Sequence, residues 1–301
     1  MTRSRRISAA LLAVALLAAS CADDATTDTA DSTDTTTTTD TTTTTDTTTT
    51  TDTDSAANDT SCADVAATFA TDGSANADLP DPEVEAVCEG ESVVITSNGI
   101  PDYTYIETSP GSPIDADLTF TIPAQPTVAS ETTAVPALGS AAVAVNGVPI
   151  YGPTEGQGGD VLSLVGALSE CGSHNGPTGF HMHLFGTSES TDCLYSPEEV
   201  AAGRQLVGYA FDGFPIYTGN GIYESSWELT DESLFATDTW SAHSYVAGSG
   251  DLDECNGLTD ADGNYAYYTT DTFPYVLGCY TGVVDLGAAG GGAGELGPPP
   301  A

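Results

Sequence analysis

The chain has 301 residues, carries 44 Asp and Glu against four Lys and Arg, and has a formal net charge of −40. A surface of this sign cannot neutralise phosphates, which excludes nucleic acid as a partner. Two readings of the acidity stay open: solubility in salty water, where self-repulsion is screened, and capture of cations.

Residues 1–20 read as a signal peptide. Arg3, Arg5 and Arg6 form a basic start, followed over residues 7–19 by a run of small apolar residues. That run is shorter than the roughly 20 residues a spanning helix needs. Leu17-Ala18-Ala19-Ser20-Cys21 looks like a bacterial lipobox, which would make Cys21 the lipidated first residue after cleavage. The alternative is ordinary secretion with a free Cys21. The expected address is extracytoplasmic, at the cell membrane or cell surface, with the membrane as partner through a lipid anchor. Cleavage would remove three arginines and no acid, leaving Arg204 alone against 44 carboxylates.

Residues 21–60 follow as a tether. Beyond Cys21 they contain only Thr, Asp, Ala, Ser and Asn, and Asp34, Asp40, Asp46 and Asp52 recur every six residues between runs of threonine. Such a repeat has nothing to bury, so it is expected to be a disordered, self-repelling coil spanning on the order of 40 Å. Residues 61–90 form a Cys-containing N-terminal extension, residues 91–285 the folded domain, and residues 286–301 a flexible Gly/Pro-rich tail.

The domain is rich in Val, Ile, Thr, Tyr and Phe, cut at short intervals by Gly and Pro. Strands are predicted at residues 91–96, 117–123, 141–145, 179–185, 206–211, 243–247 and 264–269. Helix signals are confined to Asp160 to Leu168 and Pro197 to Ala202. The expected fold class is mostly β: one pseudo-symmetric β-sandwich or barrel-like domain with few short helices.

Six cysteines remain in the exported part: Cys62, Cys88, Cys171, Cys193, Cys255 and Cys279. An even count outside the cytoplasm implies disulfides, with fifteen pairings open to six cysteines. The sequential pairing 62–88, 171–193 and 255–279 is favoured, because each bridge then closes a similar short loop. Each could contribute roughly 3–4 kcal/mol. Thiol metal ligation is disfavoured by the lack of any Cys-x-x-Cys spacing.

Two segments of the domain match position by position. Val143-Ala144-Val145-Asn146-Gly147-Val148-Pro149-Ile150-Tyr151 is echoed by Tyr209-Ala210-Phe211-Asp212-Gly213-Phe214-Pro215-Ile216-Tyr217. In each a strand meets Asn-Gly or Asp-Gly, pairs that tolerate positive φ in a tight turn, and then a proline that cannot donate to a central ladder. A strand-like segment and a cysteine follow both copies, so two related halves of one domain are expected.

Three of the four histidines fall within ten residues: His174, His181 and His183. Alternate side chains of a strand share a face, which places His181 and His183 together with Phe180 and Met182 turned the other way. Imidazole suits zinc, copper, iron or nickel, and zinc or copper is the ion expected here. His174 is the natural third ligand. Asp212, Asp251, Asp253 and Glu254 are weaker candidates to complete the shell, and the last three could instead hold Ca²⁺.

The chain resembles the YHYH-domain family, secreted or surface proteins named for a Tyr-His-Tyr-His motif. The likeness runs from about Ile95 to Gly282. It is carried by Ser97-Asn98-Gly99-Ile100-Pro101, Ala144-Val145-Asn146-Gly147-Val148-Pro149, Asp212-Gly213-Phe214-Pro215-Ile216-Tyr217, "YVAGSGDLDECNG" at 245–257 and "TDTFPYVLGC" at 270–279. The first name-giving motif is here Phe180-His181-Met182-His183, with both histidines kept. The second is Tyr265-Ala266-Tyr267-Tyr268, with neither, so a symmetric pair of metal sites is not expected. The resemblance implies an address and a fold region and carries no reaction.

Three functions compete. The leading one is a tethered extracytoplasmic binding module with one metal ion. A metalloenzyme is the second. The Phe-His-x-His stretch resembles that of α-type carbonic anhydrases, but no histidine occurs between His183 and His243. A cupin would use Glu189 beyond the His-x-His pair, but that spacing is one residue off. The third is a surface protein whose histidines only satisfy hydrogen bonds.

Overall fold

The computed structural model describes residues 61–289. The signal segment 1–20, Cys21, the Thr/Asp tether and residues 290–301 lie outside the described residues. What is described is mostly β, with three short helices.

Residues 61–90 belong to the same core as the domain that follows. Helix α1 (Cys62–Ala66) is opened by a capping box in which Ser61 and Asp64 satisfy each other's backbone donors. It buries Val65, and Phe69 just beyond it stacks near Tyr209 at 5.6 Å. A three-stranded antiparallel sheet comes next, made of β1 (Val84–Glu89), β2 (Ser92–Ser97) and β3 (Leu118–Pro123). Its inner face carries Val93, Ile95, Phe120 and Ile122, all fully buried. Phe120 stacks on Phe211, in the turn just past residues 206–210 of the large sheet, and one apolar core joins the two sheets.

Strand β4 (Val128–Ala134) runs along the outside, and then the large sheet is laid down twice. A hairpin of β5 (Ser140–Ala144) and β6 (Pro149–Tyr151) is followed by a second hairpin of β7 (Ser173–Gly176) and β8 (Gly179–Met182), with β8 parallel to β6. After α2 (Pro197–Ala202) the pattern returns as β9 (Leu206–Ala210) and β10 (Pro215–Tyr217). A two-stranded ribbon of β11 (Trp227–Leu229) and β12 (His243–Tyr245), with α3 (Thr239–Ala242) between them, interrupts it. The copy is completed by β13 (Gly257–Thr259) and β14 (Tyr265–Tyr268), with β14 parallel to β10. The last strand, β15 (Cys279–Gly282), returns to pair with β4.

The order across the eight-stranded sheet is β13-β14-β10-β9-β5-β6-β8-β7. It reads as two equivalent halves meeting at the antiparallel β5–β9 pair. Val143 faces Tyr209 there, and Ala142 and Ala144 face Ala210 and Gly208. Val143 and Tyr209 are the matching residues of the two sequence copies, so a pseudo-twofold axis passes between them. The sheet is open, with β7 and β13 at its edges.

The Asn-Gly and Asp-Gly turns behave as the sequence requires. Gly147 and Gly213 have φ of +81° and +87°, and a Cβ on either would collide with Ser97 or with the Pro123 carbonyl. Positive φ and lack of space both demand glycine there.

Three expectations are corrected. Asp160 to Leu168 is not an α-helix but a single 3-10 turn over Val161–Ser163. Gly166 takes φ of +81°, and Leu162, Leu164 and Val165 remain exposed, so no apolar stripe faces a core. The predicted strand 179–185 ends at Met182. The tail also starts later than residue 286, because Ala289 is buried and its carbonyl accepts from Thr121 N–H.

The three disulfides are Cys62–Cys88, Cys171–Cys193 and Cys255–Cys279. The last two are equivalent under the pseudo-twofold, each opening two residues before an outer strand, β7 or β13. Thiol titration of the denatured, unreduced protein is expected to find none of these six free, and peptide mapping to recover all three links. Two or more free thiols among them would refute the framework.

Candidate metal centre

His174 and His181 face each other across the β7–β8 hairpin as register partners. Cross-strand partners project to the same side, so the tight turn at Pro177-Thr178 brings two imidazoles together. Gly176 makes the approach feasible, since a Cβ there would come within 2.7 Å of the His181 ring. His183 lies just past β8, but its N–H bonds to the Gly172 carbonyl at 2.9 Å. This keeps the chain extended, and the alternation carries His183 to the side of His181. Phe180 and Met182 point the other way, into the core.

The three rings converge on their Nε2 atoms. His181 Nε2 lies 2.9 Å from His174 Nε2 and 3.1 Å from His183 Nε2. The opposite ring nitrogens are already engaged. His181 Nδ1 donates to the Gly179 carbonyl at 2.9 Å and His183 Nδ1 to the Gly152 carbonyl at 2.6 Å. A carbonyl can only accept, so each Nδ1 bears the proton and each Nε2 presents a bare lone pair. Two such lone pairs at 3.1 Å repel unless a proton or a cation lies between them.

Burial opposes the proton. It holds His181 well below the usual imidazole range, with the neighbouring imidazoles adding to the effect, and pushes His183 down to about 4. His174 is lowered by burial too, partly offset by Glu155 and the Ala167 backbone. The Tyr151 ring stacks on His181 at 3.9 Å and 13°, which fixes the orientation of the middle imidazole. Tetrahedral zinc with bonds of about 2.0–2.1 Å has nitrogen–nitrogen edges of roughly 3.3 Å, so the donor set matches the scale of a first coordination shell.

Glu155 is the residue that sequence reasoning missed. Its Oε1 lies 3.5 Å from His174 Nε2 and 3.9 Å from His183 Nε2. That oxygen is buried and accepts no hydrogen bond. The loop bearing it is closed by the Glu155 N–H to Gly159 carbonyl bond. Asp160, fully buried, anchors the loop end by accepting from Thr239 Oγ1 and the Tyr275 hydroxyl, both at 2.8 Å. Nothing local singles out Glu155 among so many acids; only its place beside the imidazoles does.

The expectation that Asp212, Asp251, Asp253 or Glu254 completes the shell is corrected: none of them joins the imidazole group. Asp212 accepts from Tyr267, Gly282 and Phe214, and Asp253 from Cys255, Gly257 and Tyr265. Asp251 accepts from the Glu224 N–H. Glu254 lies beside Cys255 and Cys279, whose sulfurs are bonded to each other and so are not ligands. These contacts hold turns and tyrosines in place, and among the described residues Asp251, Asp253 and Glu254 do not gather into one set of three ligand atoms. Glu189 is not in the group either. His243 is packed flat on Phe273 at 4.0 Å and bonds the Thr239 carbonyl, a structural role.

Beside the imidazoles opens a cavity of about 420 Å³, with Leu138, Tyr151, Leu164 and Pro177 among its apolar walls and Thr154 and Glu155 among its polar ones.

Residues 119–282, more than half of the chain, match the family model described as YHYH protein. The chain belongs to the YHYH family. No curated protein and no solved structure matches it. The matched YHYH region contains both halves of the large sheet, and the second half shows what became of the other motif. Leu258 faces Ala266 where His174 faces His181, and Tyr268 takes the place of His183. There Leu258, Ala266 and Tyr268 form an apolar cluster with Tyr217 and Tyr223. The Arg204 guanidinium lies over the Tyr217 ring at 4.1 Å and donates to the Tyr268 hydroxyl. This YHYH chain therefore keeps the imidazole set in one half and an arginine–tyrosine cluster in the other.

Proposed function

We propose that this YHYH protein is an extracytoplasmic module, tethered to the cell surface through Cys21, that holds one zinc or copper ion on His174, His181 and His183. The observation that supports it is the close approach of His181 Nε2 and His183 Nε2, each left bare because its Nδ1 proton is spent on a backbone carbonyl. A backbone carbonyl that accepts from the other ring nitrogen and so fixes the tautomer is the usual partner of a metal-ligating histidine. No helix among the described residues is long and apolar enough to cross a membrane, and three disulfides accord with an oxidising compartment.

Elemental analysis of the purified protein, before and after exposure to Zn²⁺ or Cu²⁺, tests the metal. About one equivalent is expected, and it should be lost in the His181→Ala/His183→Ala double variant. Stoichiometric metal in that variant, or none in the parent after loading, would overturn the site. Cys21→Ser should release the protein from membranes if the lipid is its anchor.

A further inference from the structure

The geometry points to a small-molecule pocket at this centre, for a ligand with an apolar body and an oxygen head that donates a hydrogen bond. The inference rests on the metal reading and adds the class of ligand that would meet the ion. Three observations carry it.

The first is the cavity itself. At about 420 Å³ it lies within the range of pockets that enclose small ligands, and it reaches all three histidines. The second is the state of its polar atoms. Glu155 Oε1 and Thr154 Oγ1 are both buried and without a hydrogen-bond partner, and both residues line the cavity. Buried acceptors left unpaired are costly, and both belong to residues of the cavity wall, with Glu155 Oε1 only 3.5 Å from His174 Nε2. A ligand oxygen near the ion with a hydroxyl or N–H beside it would satisfy Glu155. The third is the mouth. Leu138 and Leu164 line the cavity yet are 42% and 54% exposed, and Leu162 and Val165 add apolar surface along the same loop. On a chain with a net charge of −40, exposed apolar side chains at the rim of a pocket call for an apolar occupant. The same charge disfavours polyanions such as nucleotides.

Hydroxamic acids fit this description, because they offer a metal-binding oxygen pair and an adjacent donor on a body of chosen size. The full-length protein is loaded with Co²⁺ and its visible spectrum followed during titration with benzohydroxamic or acetohydroxamic acid. Both should perturb the spectrum, and the benzo compound should saturate at about tenfold lower concentration or less, through burial of its ring. Glu155→Gln should weaken both probes. Leu164→Asp, at an exposed position that the fold tolerates, should abolish the difference between them while acetohydroxamate still reports the cobalt.

Failure to take up Co²⁺ would remove the metal reading and this inference together. Cobalt bound with a spectrum indifferent to both probes would leave the metal reading standing and overturn the pocket. Equal saturation by the two probes, or a preference unchanged in Leu164→Asp, would overturn the apolar body of the ligand.

Discussion

Replacing His183 alone with alanine is expected to lower Zn²⁺ affinity on the order of 100-fold, since a structural-type site draws its affinity from three or four ligands acting together. His181→Ala should do at least as much. His181 is the central ring, within 3.1 Å of both other Nε2 atoms. His174→Ala should follow the same direction. The pseudo-twofold supplies the control. Tyr268→Phe alters the residue equivalent to His183 in the other half and should leave zinc affinity unchanged, although it removes the hydroxyl that accepts from Arg204. Competition titration against a chromophoric chelator measures all four. An affinity loss in Tyr268→Phe equal to that in His183→Ala would mean that general loosening of the sheet, and not ligation, is being read.

The second large effect is expected at Asp212, in stability. This side chain is fully buried. It accepts from the Tyr267 hydroxyl at 2.5 Å, the Gly282 N–H at 2.8 Å and the Phe214 N–H at 3.2 Å. It thus ties the Asp-Gly turn to β14 and β15. Asp212→Ala would leave three buried donors without an acceptor and should cost roughly 3 kcal/mol or more. Asp212→Asn keeps the shape and loses less.

The pH dependence follows from the same burial. Desolvation pushes the Asp212 carboxyl up to about 6, against hydrogen bonds from Tyr267, Gly282, Phe214 and its own backbone that favour the charged form. The folded state therefore holds this proton more tightly than the unfolded chain does. Its contribution to stability is full below about pH 4, the unfolded value, and is lost as pH rises through about 6, to the extent of about 2–3 kcal/mol. Urea unfolding of the parent and Asp212→Asn at pH 4.5 and 7.5 isolates it, because charge repulsion elsewhere is common to both. The parent should lose ground relative to the variant as pH rises. A gap independent of pH would show that the hydrogen bonds keep Asp212 ionised throughout.

Local chemistry is what the sequence by itself determined. Runs rich in Val, Ile, Thr, Tyr and Phe between Gly and Pro marked β2, β3, β5, β9 and β14, because such side chains favour the extended backbone and Gly and Pro interrupt it. Asn146-Gly147 and Asp212-Gly213 announced two equivalent turns, because few other pairs tolerate the backbone they need. The spacing of six cysteines pointed to the observed pairing, and His-x-His followed from the geometry of an extended chain.

Tertiary structure decided the rest, wherever a residue's role depends on a partner distant in sequence. Strand β4 has an exposed, threonine-rich pattern and is a strand only because β15 returns to it more than a hundred residues later. Asp212 and Asp253 look like ligands in isolation, but backbone N–H groups and tyrosine hydroxyls from elsewhere in the chain consume their lone pairs. Glu155 looks like one acid among 44, and becomes distinct because the loop anchored by Asp160 sets its free oxygen against two imidazoles. Composition and period act over a few residues. The use of a lone pair is decided by whatever the folded chain places within about 3 Å of it.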